Sequence, residues 1–136
     1  MKRTQTTIVA LLAAALLFGA CGGSNATKAK LQLTSVSDVA EIVASPPQGL
    51  VILDIRTADE YAAGHIPGAI NIDYYSPDFE SKLRELDPTV PYVMYCQSGN
   101  RSAKALPLMD SIGFQEVYEL DGGISAWAAA GEPIEQ

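Results

Sequence analysis

The sequence has few cysteines, few basic residues and no long apolar run. Its two cysteines can form at most one disulfide, so the fold cannot depend on a framework of bridges. The apolar run Ile8 to Ala20 has 13 residues, whereas a membrane-spanning helix needs ~20. Nine Lys and Arg stand against sixteen Asp and Glu, which argues against nucleic acid as a partner. A length of 136 residues fits one domain.

Residues 1–20 are typical of a secretory signal peptide. Lys2 and Arg3 precede the apolar run, and Gly19 and Ala20 supply small residues before a cleavage point. The segment LFGAC that ends at Cys21 resembles the bacterial lipobox, in which the cysteine after the cut carries lipid. We therefore expect an exported protein, lipid-anchored to the cell membrane and facing the periplasm or the cell exterior. The alternative is an ordinary signal cleavage that leaves Cys21 as a free thiol.

Residues 21–33 are predicted to be the lipidated cysteine and a flexible tether, and residues 34–136 the folded domain. The stretch GGSNATKAK after Cys21 is small, polar and poor in apolar side chains. Removal of residues 1–20 leaves seven Lys and Arg against sixteen Asp and Glu, a net charge of −9. An acidic surface on a single domain favours a monomer, and an anionic substrate would then need a local positive field.

Apolar runs alternate with helix-like segments from residue 34 onward. The predicted strands are LVILDI (50–55), AINI (69–72), PYVMYC (91–96) and EVYEL (116–120). The predicted helices are SVSDVAEIVAS, PDFESKLREL, SAKALPLMDSIG and ISAWAAAG. This alternation indicates an α/β fold with a mostly parallel sheet and helices on both faces. Ligands of such sheets bind at the carboxyl ends of the strands, where Cys96 ends a predicted strand.

The segment CQSGNRS (96–102) has the composition of a loop that activates a thiol. The first amides of a following helix have no partners within that helix and can face an anion. Gly99 permits a tight turn, Ser98 and Ser102 add hydroxyl donors, and Arg101 adds a permanent cation. Such surroundings lower a cysteine pKa and so favour the nucleophilic thiolate. A buried, inert cysteine at a strand end is the alternative.

Three blocks of the sequence resemble the signatures of the rhodanese (sulfurtransferase) family. They are LDIRTADEYAAGHIPGAINI (53–72), YCQSGNRS (95–102) and LDGGISAWAAAG (120–131), in the order that the family shows. The resemblance extends from about Thr34 to Pro133 and implies a small α/β domain with a five-stranded parallel sheet. It also implies an enzyme of the thiosulfate:cyanide sulfurtransferase type, with no cofactor and no metal.

By this resemblance, Cys96 would take a sulfane sulfur from thiosulfate or a persulfide donor and pass it to cyanide or a thiol. Such a two-step transfer through a covalent intermediate is nucleophilic catalysis. Arg101 would hold the anionic donor or offset its charge. The amides and hydroxyls expected to cradle the sulfur are those of Gln97, Ser98, Gly99, Asn100 and Ser102. Gln97 is uncharged where many relatives carry a basic residue, which makes a persulfide a serious alternative to thiosulfate.

Four polar residues near the predicted site are expected to be structural. The only histidine, His65, lies in AAGHIPGA, which in the family is a turn that ties a loop to its neighbours. Asp54 and Arg56 end a buried strand, and with Glu60 they are expected to form one hydrogen-bonded network. Removing one partner of such a buried pair would be costly.

Other functions fit the sequence less well. Related dual-specificity phosphatases place five residues between their cysteine and arginine, whereas four separate Cys96 from Arg101. Tyr95 also stands where a histidine would precede the cysteine of a phosphatase. A redox role is disfavoured because Cys96 has no second cysteine nearby to resolve a mixed disulfide. A binding or sulfur-carrier module that docks a periplasmic partner without turnover stays as the main alternative, although degenerate family members often lose the cysteine.

Overall fold

The computed structural model of the protein describes residues 28–136, which contain five strands and five helices. The strands are β1 (Lys30–Thr34), β2 (Val51–Asp54), β3 (Ile70–Asn71), β4 (Pro91–Tyr95) and β5 (Glu116–Leu120). The helices are α1 (Val36–Ala44), α2 (Ala58–Ala63), α3 (Phe79–Arg84), α4 (Asn100–Ile112) and α5 (Gly123–Ala129). All strand pairs are parallel, in the order β1-β5-β4-β2-β3. The predicted α/β class with a five-stranded parallel sheet is confirmed.

The central strand β4 is buried along its whole length because helices cover both faces of the sheet. Its side chains alternate between two apolar cores, with Val93 and Tyr95 in one and Tyr92 and Met94 in the other. Helices α1 and α5 contribute buried side chains to the first core, and helices α3 and α4 to the second. Because both faces of the strand are buried, its sequence is an unbroken apolar run.

The predicted boundary between tether and domain is wrong by four residues. Strand β1 begins at Lys30, inside the segment 21–33 that was expected to be flexible, and pairs with β5 along its full length. Its sequence KLQLT alternates polar and apolar residues, as a strand at a sheet edge can. Only Thr34 of this strand is buried, and Leu33 is exposed, so the strand carries a weak apolar signal.

The predictions of a signal peptide at 1–20 and a lipidated Cys21 fall on residues outside those that the structure describes. Within residues 28–136, no helix combines the length and the apolar character that crossing a membrane requires.

The parallel sheet brings the carboxyl ends of its strands to one edge. Strand β4 ends at Tyr95 and β2 ends at Asp54, and these two residues are paired in register. The residues that follow them therefore lie side by side. Strand β5, the other neighbour of β4, leads directly into the glycine pair that opens α5.

Candidate active site

Cys96 lies directly after β4 and is 1% exposed. We call residues 96–101, which lead from β4 into α4, the cysteine loop. The Gly99 amide donates a hydrogen bond to the Cys96 sulfur (Sγ) at 3.2 Å. The Ser102 hydroxyl lies 3.5 Å from the same sulfur. The loop therefore closes around one sulfur atom, with hydrogen-bond donors on its inner side.

The turn of the loop depends on the backbone of Gly99. This residue precedes α4 with φ +95°, in the left-handed region that favours glycine. It offers no side chain to cap the helix, so capping does not occupy the first amides of α4. These amides can turn toward the sulfur, as the strand–loop–helix sequence predicts.

The surroundings lower the pKa of the Cys96 thiol. Burial works in the opposite direction, because it disfavours the charged thiolate. Hydrogen bonds from the Ser102 hydroxyl and from the amides of Ser102, Ser98 and Gly99 outweigh it. A thiol of this kind ionises more readily than a free cysteine, which increases its reactivity as a nucleophile.

The amino end of α5 holds the outer side of the cysteine loop. The Ile124 amide donates to the Cys96 carbonyl at 3.0 Å, and the Ser125 amide donates to the Gln97 carbonyl at 3.1 Å. Gly123 has φ +60°, and a Cβ atom there would lie 2.5 Å from the Cys96 carbonyl oxygen. The close approach of α5 to the loop therefore requires glycine at this position.

Arg101 does not stand alone in the loop. Its two terminal nitrogens each donate to one carboxylate oxygen of Glu60, both at 2.9 Å. The hydrogen-bonded contact with Arg101 lowers the pKa of Glu60 to about 2, with help from the amide and hydroxyl of Thr57. The same contact raises the pKa of Arg101. The guanidinium charge is thus permanent but is already paired with a carboxylate.

The predicted network of Asp54, Arg56 and Glu60 exists only in part. Arg56 donates to Asp54 Oδ2 through Nη2 at 2.7 Å and through Nε at 3.1 Å, and the pair is almost fully buried. Arg56 also donates to the Gly64 carbonyl at 2.6 Å. Glu60 is not hydrogen-bonded to either residue, because its carboxylate binds Arg101 and caps α2 through Thr57. The expectation of one network is wrong in this respect.

His65 lies away from the sulfur. Its Nδ1 atom is 3.0 Å from the Tyr61 carbonyl, its Nε2 atom is 3.4 Å from Glu135, and its ring stacks on Tyr61. His65 also exchanges two backbone hydrogen bonds with Glu135. These contacts connect α2 to the end of the chain, and none of them reaches Cys96.

Two of the residues expected to cradle the sulfur direct their side chains elsewhere. The Gln97 side chain accepts from Arg56 at 3.3 Å and donates to Ser125 at 2.9 Å. The Asn100 side chain is exposed and donates to Ser98 at 3.4 Å. Ser98, Gly99 and Ser102 are the members of the predicted set whose amides act on the thiol.

An open groove of about 460 Å³ lies beside the loop. Its lining includes Arg56, Glu60, Gln97, Ser125 and Ile134. A larger groove of about 570 Å³ between β1 and α4 does not include the cysteine loop. The smaller groove therefore adjoins the cysteine loop at Gln97, while Cys96 itself is not part of its lining.

Comparison with known proteins agrees with this geometry. The family model for the rhodanese-like domain matches residues 35–130, a range that contains the cysteine loop, Glu60 and the glycine pair that opens α5. The chain belongs to the rhodanese-like domain family.

Individual rhodanese relatives give the same result. The thiosulfate sulfurtransferase GlpE of Pseudomonas fluorescens strain SBW25 is 43% identical over 81 residues, which are 59% of this chain and 72% of the relative. The protein of the same name from Pseudomonas entomophila strain L48 is 41% identical with the same coverage. A rhodanese-related protein of Thermoplasma volcanium has a TM-score of 0.67 and 27% identity, over 76% of this chain and 97% of that one.

One buried polar residue of this rhodanese site was not predicted from the sequence. Glu119 in β5 is 3% exposed, and its carboxylate accepts from the Ser102 hydroxyl at 2.8 Å. In the segment EVYEL, the only sequence indication of a buried carboxyl group is a glutamate at an inward-facing position of a short strand. Because the strand also carries Glu116, alternation alone does not tell which face is buried.

Proposed function

We propose that this protein is an exported, membrane-tethered sulfurtransferase in which Cys96 carries the sulfur as a persulfide. The observation that carries the proposal is the Cys96 sulfur at the end of β4, with the Gly99 amide donating to it at 3.2 Å and the Ser102 hydroxyl oxygen 3.5 Å away. Membership of the rhodanese-like domain family and similarity to proteins named thiosulfate sulfurtransferase support the same reaction.

In the first step, the Cys96 thiolate attacks the outer sulfur of thiosulfate. A bond forms between the two sulfurs, the sulfur–sulfur bond of thiosulfate breaks, and sulfite leaves with the electron pair. In the second step, cyanide or a thiolate attacks the outer sulfur of the persulfide, and Cys96 leaves as a thiolate. Donors already present around the sulfur stabilise the negative charge at each stage without reorganising.

The pairing of Arg101 with Glu60 bears on the choice of donor. A dianion such as thiosulfate gains less from a guanidinium that a carboxylate already holds at 2.9 Å. A thiol-borne persulfide needs less positive charge in order to bind. We therefore include a persulfide donor beside thiosulfate, and cyanide or a thiol as the acceptor.

A binding or sulfur-carrier module is the second candidate. It is favoured by the burial of Cys96, which is 1% exposed. A partner that docks in the groove beside the loop could use this surface without turnover. The proposed enzyme instead requires the loop to admit a small donor to the sulfur.

The test is thiosulfate:cyanide transfer by the full chain beside a Cys96→Ser variant. Thiocyanate from the first protein and none from the second is the expected result. A folded, reduced protein that yields no thiocyanate and gains no sulfur from a small persulfide would contradict the enzyme and favour the binding module.

The proposed anchor is lipid on Cys21 after removal of residues 1–20. It is supported by the signal-like sequence and by the lipobox resemblance of LFGAC. Replacement of Cys21 by serine should move the protein from the membrane fraction to the soluble fraction. Unchanged membrane retention would contradict lipidation as the anchor.

A further inference from the structure

A buried carboxyl group lies behind the thiol, one hydroxyl away from it. Glu119 Oε1 accepts from Ser102 Oγ at 2.8 Å, and the same Oγ lies 3.5 Å from Cys96 Sγ. All three residues are at most 3% exposed. Among residues 28–136, no basic side chain forms an ion pair with Glu119. The carboxyl group is therefore coupled to the thiol and not to a cation.

The Cys96 thiol and the Glu119 carboxyl group share the Ser102 hydroxyl, so the charge on one affects the charge on the other. The Ser102 hydroxyl has a single proton, and three acceptors lie within its reach: the Glu119 carboxylate at 2.8 Å, the Gly99 carbonyl at 3.2 Å and the Cys96 sulfur at 3.5 Å. It can therefore not donate fully to the carboxylate and to the sulfur at the same time. When Glu119 is ionised, the hydroxyl donates to it and can only accept the S–H of Cys96. When Glu119 is protonated, it can donate to Ser102, and the hydroxyl proton can turn to a Cys96 thiolate. The three groups carry one negative charge in either arrangement.

The surroundings of Glu119 and Cys96 favour exchange of a proton between the carboxyl group and the thiol. Burial raises the pKa of Glu119, although the bond from Ser102 opposes it, and the nearby Asp121 carboxylate raises it further. The pKa of the Cys96 thiol moves in the other direction. The two groups therefore become closer in acidity than a free glutamate and a free cysteine are.

Few other charges face this trio. On the neighbouring strands β1 and β4, the residues in register with Glu119 are Leu33 and Met94, which are apolar. Helix α4 contributes Ser102 and, near the thiol, the Arg101 guanidinium that Glu60 of α2 holds. Asp121 follows β5 itself and is exposed.

We propose that Glu119 holds the proton that the Cys96 thiol gives up, and that the Ser102 hydroxyl carries it between them; this rests on the proposed sulfur transfer through Cys96. The S–H proton passes to Ser102 Oγ while the hydroxyl proton passes to Glu119 Oε1. The electron pair of the S–H bond stays on sulfur, which then attacks the donor. Glu119 acts through Ser102 and does not touch the sulfur.

The test follows ionisation of the thiol directly and needs no sulfur donor, so it is independent of whether the protein transfers sulfur. The full chain with Cys21→Ser contains Cys96 as its sole thiol. Thiolate absorbance and the infrared band of protonated carboxyl groups are recorded together as the pH is raised. Glu119→Gln and Ser102→Ala are compared with Glu116→Gln, a control on the same strand, and circular dichroism checks that each variant is folded.

The proposal expects thiolate to form in two steps in the Cys21→Ser protein, with a carboxyl band still present during the first. Glu119→Gln should remove that band and leave a single step. Ser102→Ala should also give a single step, with a thiol about tenfold less acidic than in Glu119→Gln. Glu116→Gln should keep two steps.

Two results would overturn the proposal. The first is a titration of Glu119→Gln that coincides with the Cys21→Ser background. The second needs no variant at the site: complete loss of the protonated carboxyl band before any thiolate appears would show that Glu119 ionises independently of Cys96.

Discussion

Replacement of Glu60 by glutamine should destabilise the protein in a way that depends on pH. Glutamine keeps the shape of the side chain and can still cap α2 from the third helical position. It removes the negative charge that meets both terminal nitrogens of Arg101. The loss of stability should therefore measure the ion pair between Glu60 and Arg101 and not the capping of α2.

The magnitude follows from the pKa of the carboxyl. A change from the ordinary value of 4.5 to about 2 corresponds to about 3.4 kcal/mol in favour of the ionised form. The Glu60 side chain is 33% exposed, so solvent screening reduces the expected loss to about 1–2 kcal/mol. Because the pKa is lowered on folding, this stability is present above about pH 4.5 and is lost as the pH falls toward about 2.

Urea unfolding of both proteins at about pH 7, 5 and 3 tests this reasoning. The difference in the free energy of unfolding should be nearly equal at the two higher pH values and less than half as large at the lowest. Glu80→Gln is the matched control, because Glu80 pairs with Arg84 on the exposed face of α3 and should cost at most about 0.5 kcal/mol. A Glu60→Gln loss that does not change with pH would refute the assignment to charge.

Three further predictions concern the loop and its supports. Arg101→Lys should lower kcat/KM for sulfur transfer by about 10²-fold, because an ammonium group cannot make the paired hydrogen bonds to Glu60. Gly123→Ala should lower the free energy of unfolding by about 3 kcal/mol or more, against about 1–2 kcal/mol for Gly113→Ala, which is also at positive φ but has open space around it. Asp54→Asn should cost about 3–5 kcal/mol, since it leaves a buried guanidinium without its counter-charge.

Full transfer activity in Arg101→Lys, equal to that of the control Lys104→Arg on the same helix, would show that the paired geometry is unimportant. Equal losses for the two glycine variants would show that the close approach of Gly123 to the Cys96 carbonyl does not affect stability. A cost for Asp54→Asn no larger than that of the exposed Asp59→Asn would contradict the buried ion pair.

The strands and helices that carry strong patterns were predictable from the sequence. Strand β4 is buried on both faces and reads as a continuous apolar run, and α1 has an amphipathic pattern with Val39 at its buried centre. Strand β1 was not predictable in the same way, because it buries little and the small, polar segment before it resembles a tether. Helix α2 has six residues and no fully buried side chain, so its capping box is its main signal.

The position of Cys96 at a strand end followed from the sequence, but the partners of the charged residues did not. Glu60 lies four residues from Arg56 and 41 from Arg101, and sequence distance favoured the wrong partner. Glu119 is on the next strand of the sheet, and its contact with Ser102 depends on how α4 packs on β5. Such contacts depend on tertiary geometry, which spacing along the chain does not encode.

Sulfur transfer as proposed requires a persulfide on Cys96, and intact mass detects this species. Cys21→Ser and Cys96→Ser variants of the full chain each keep one of the two cysteines. After exposure to thiosulfate or a small persulfide, the Cys21→Ser protein should gain about 32 Da, the mass of one sulfur atom, and lose it when cyanide is added. The Cys96→Ser protein should gain nothing. A Cys21→Ser protein that is folded and reduced, yet gains no sulfur from either donor, would contradict sulfur transfer through Cys96.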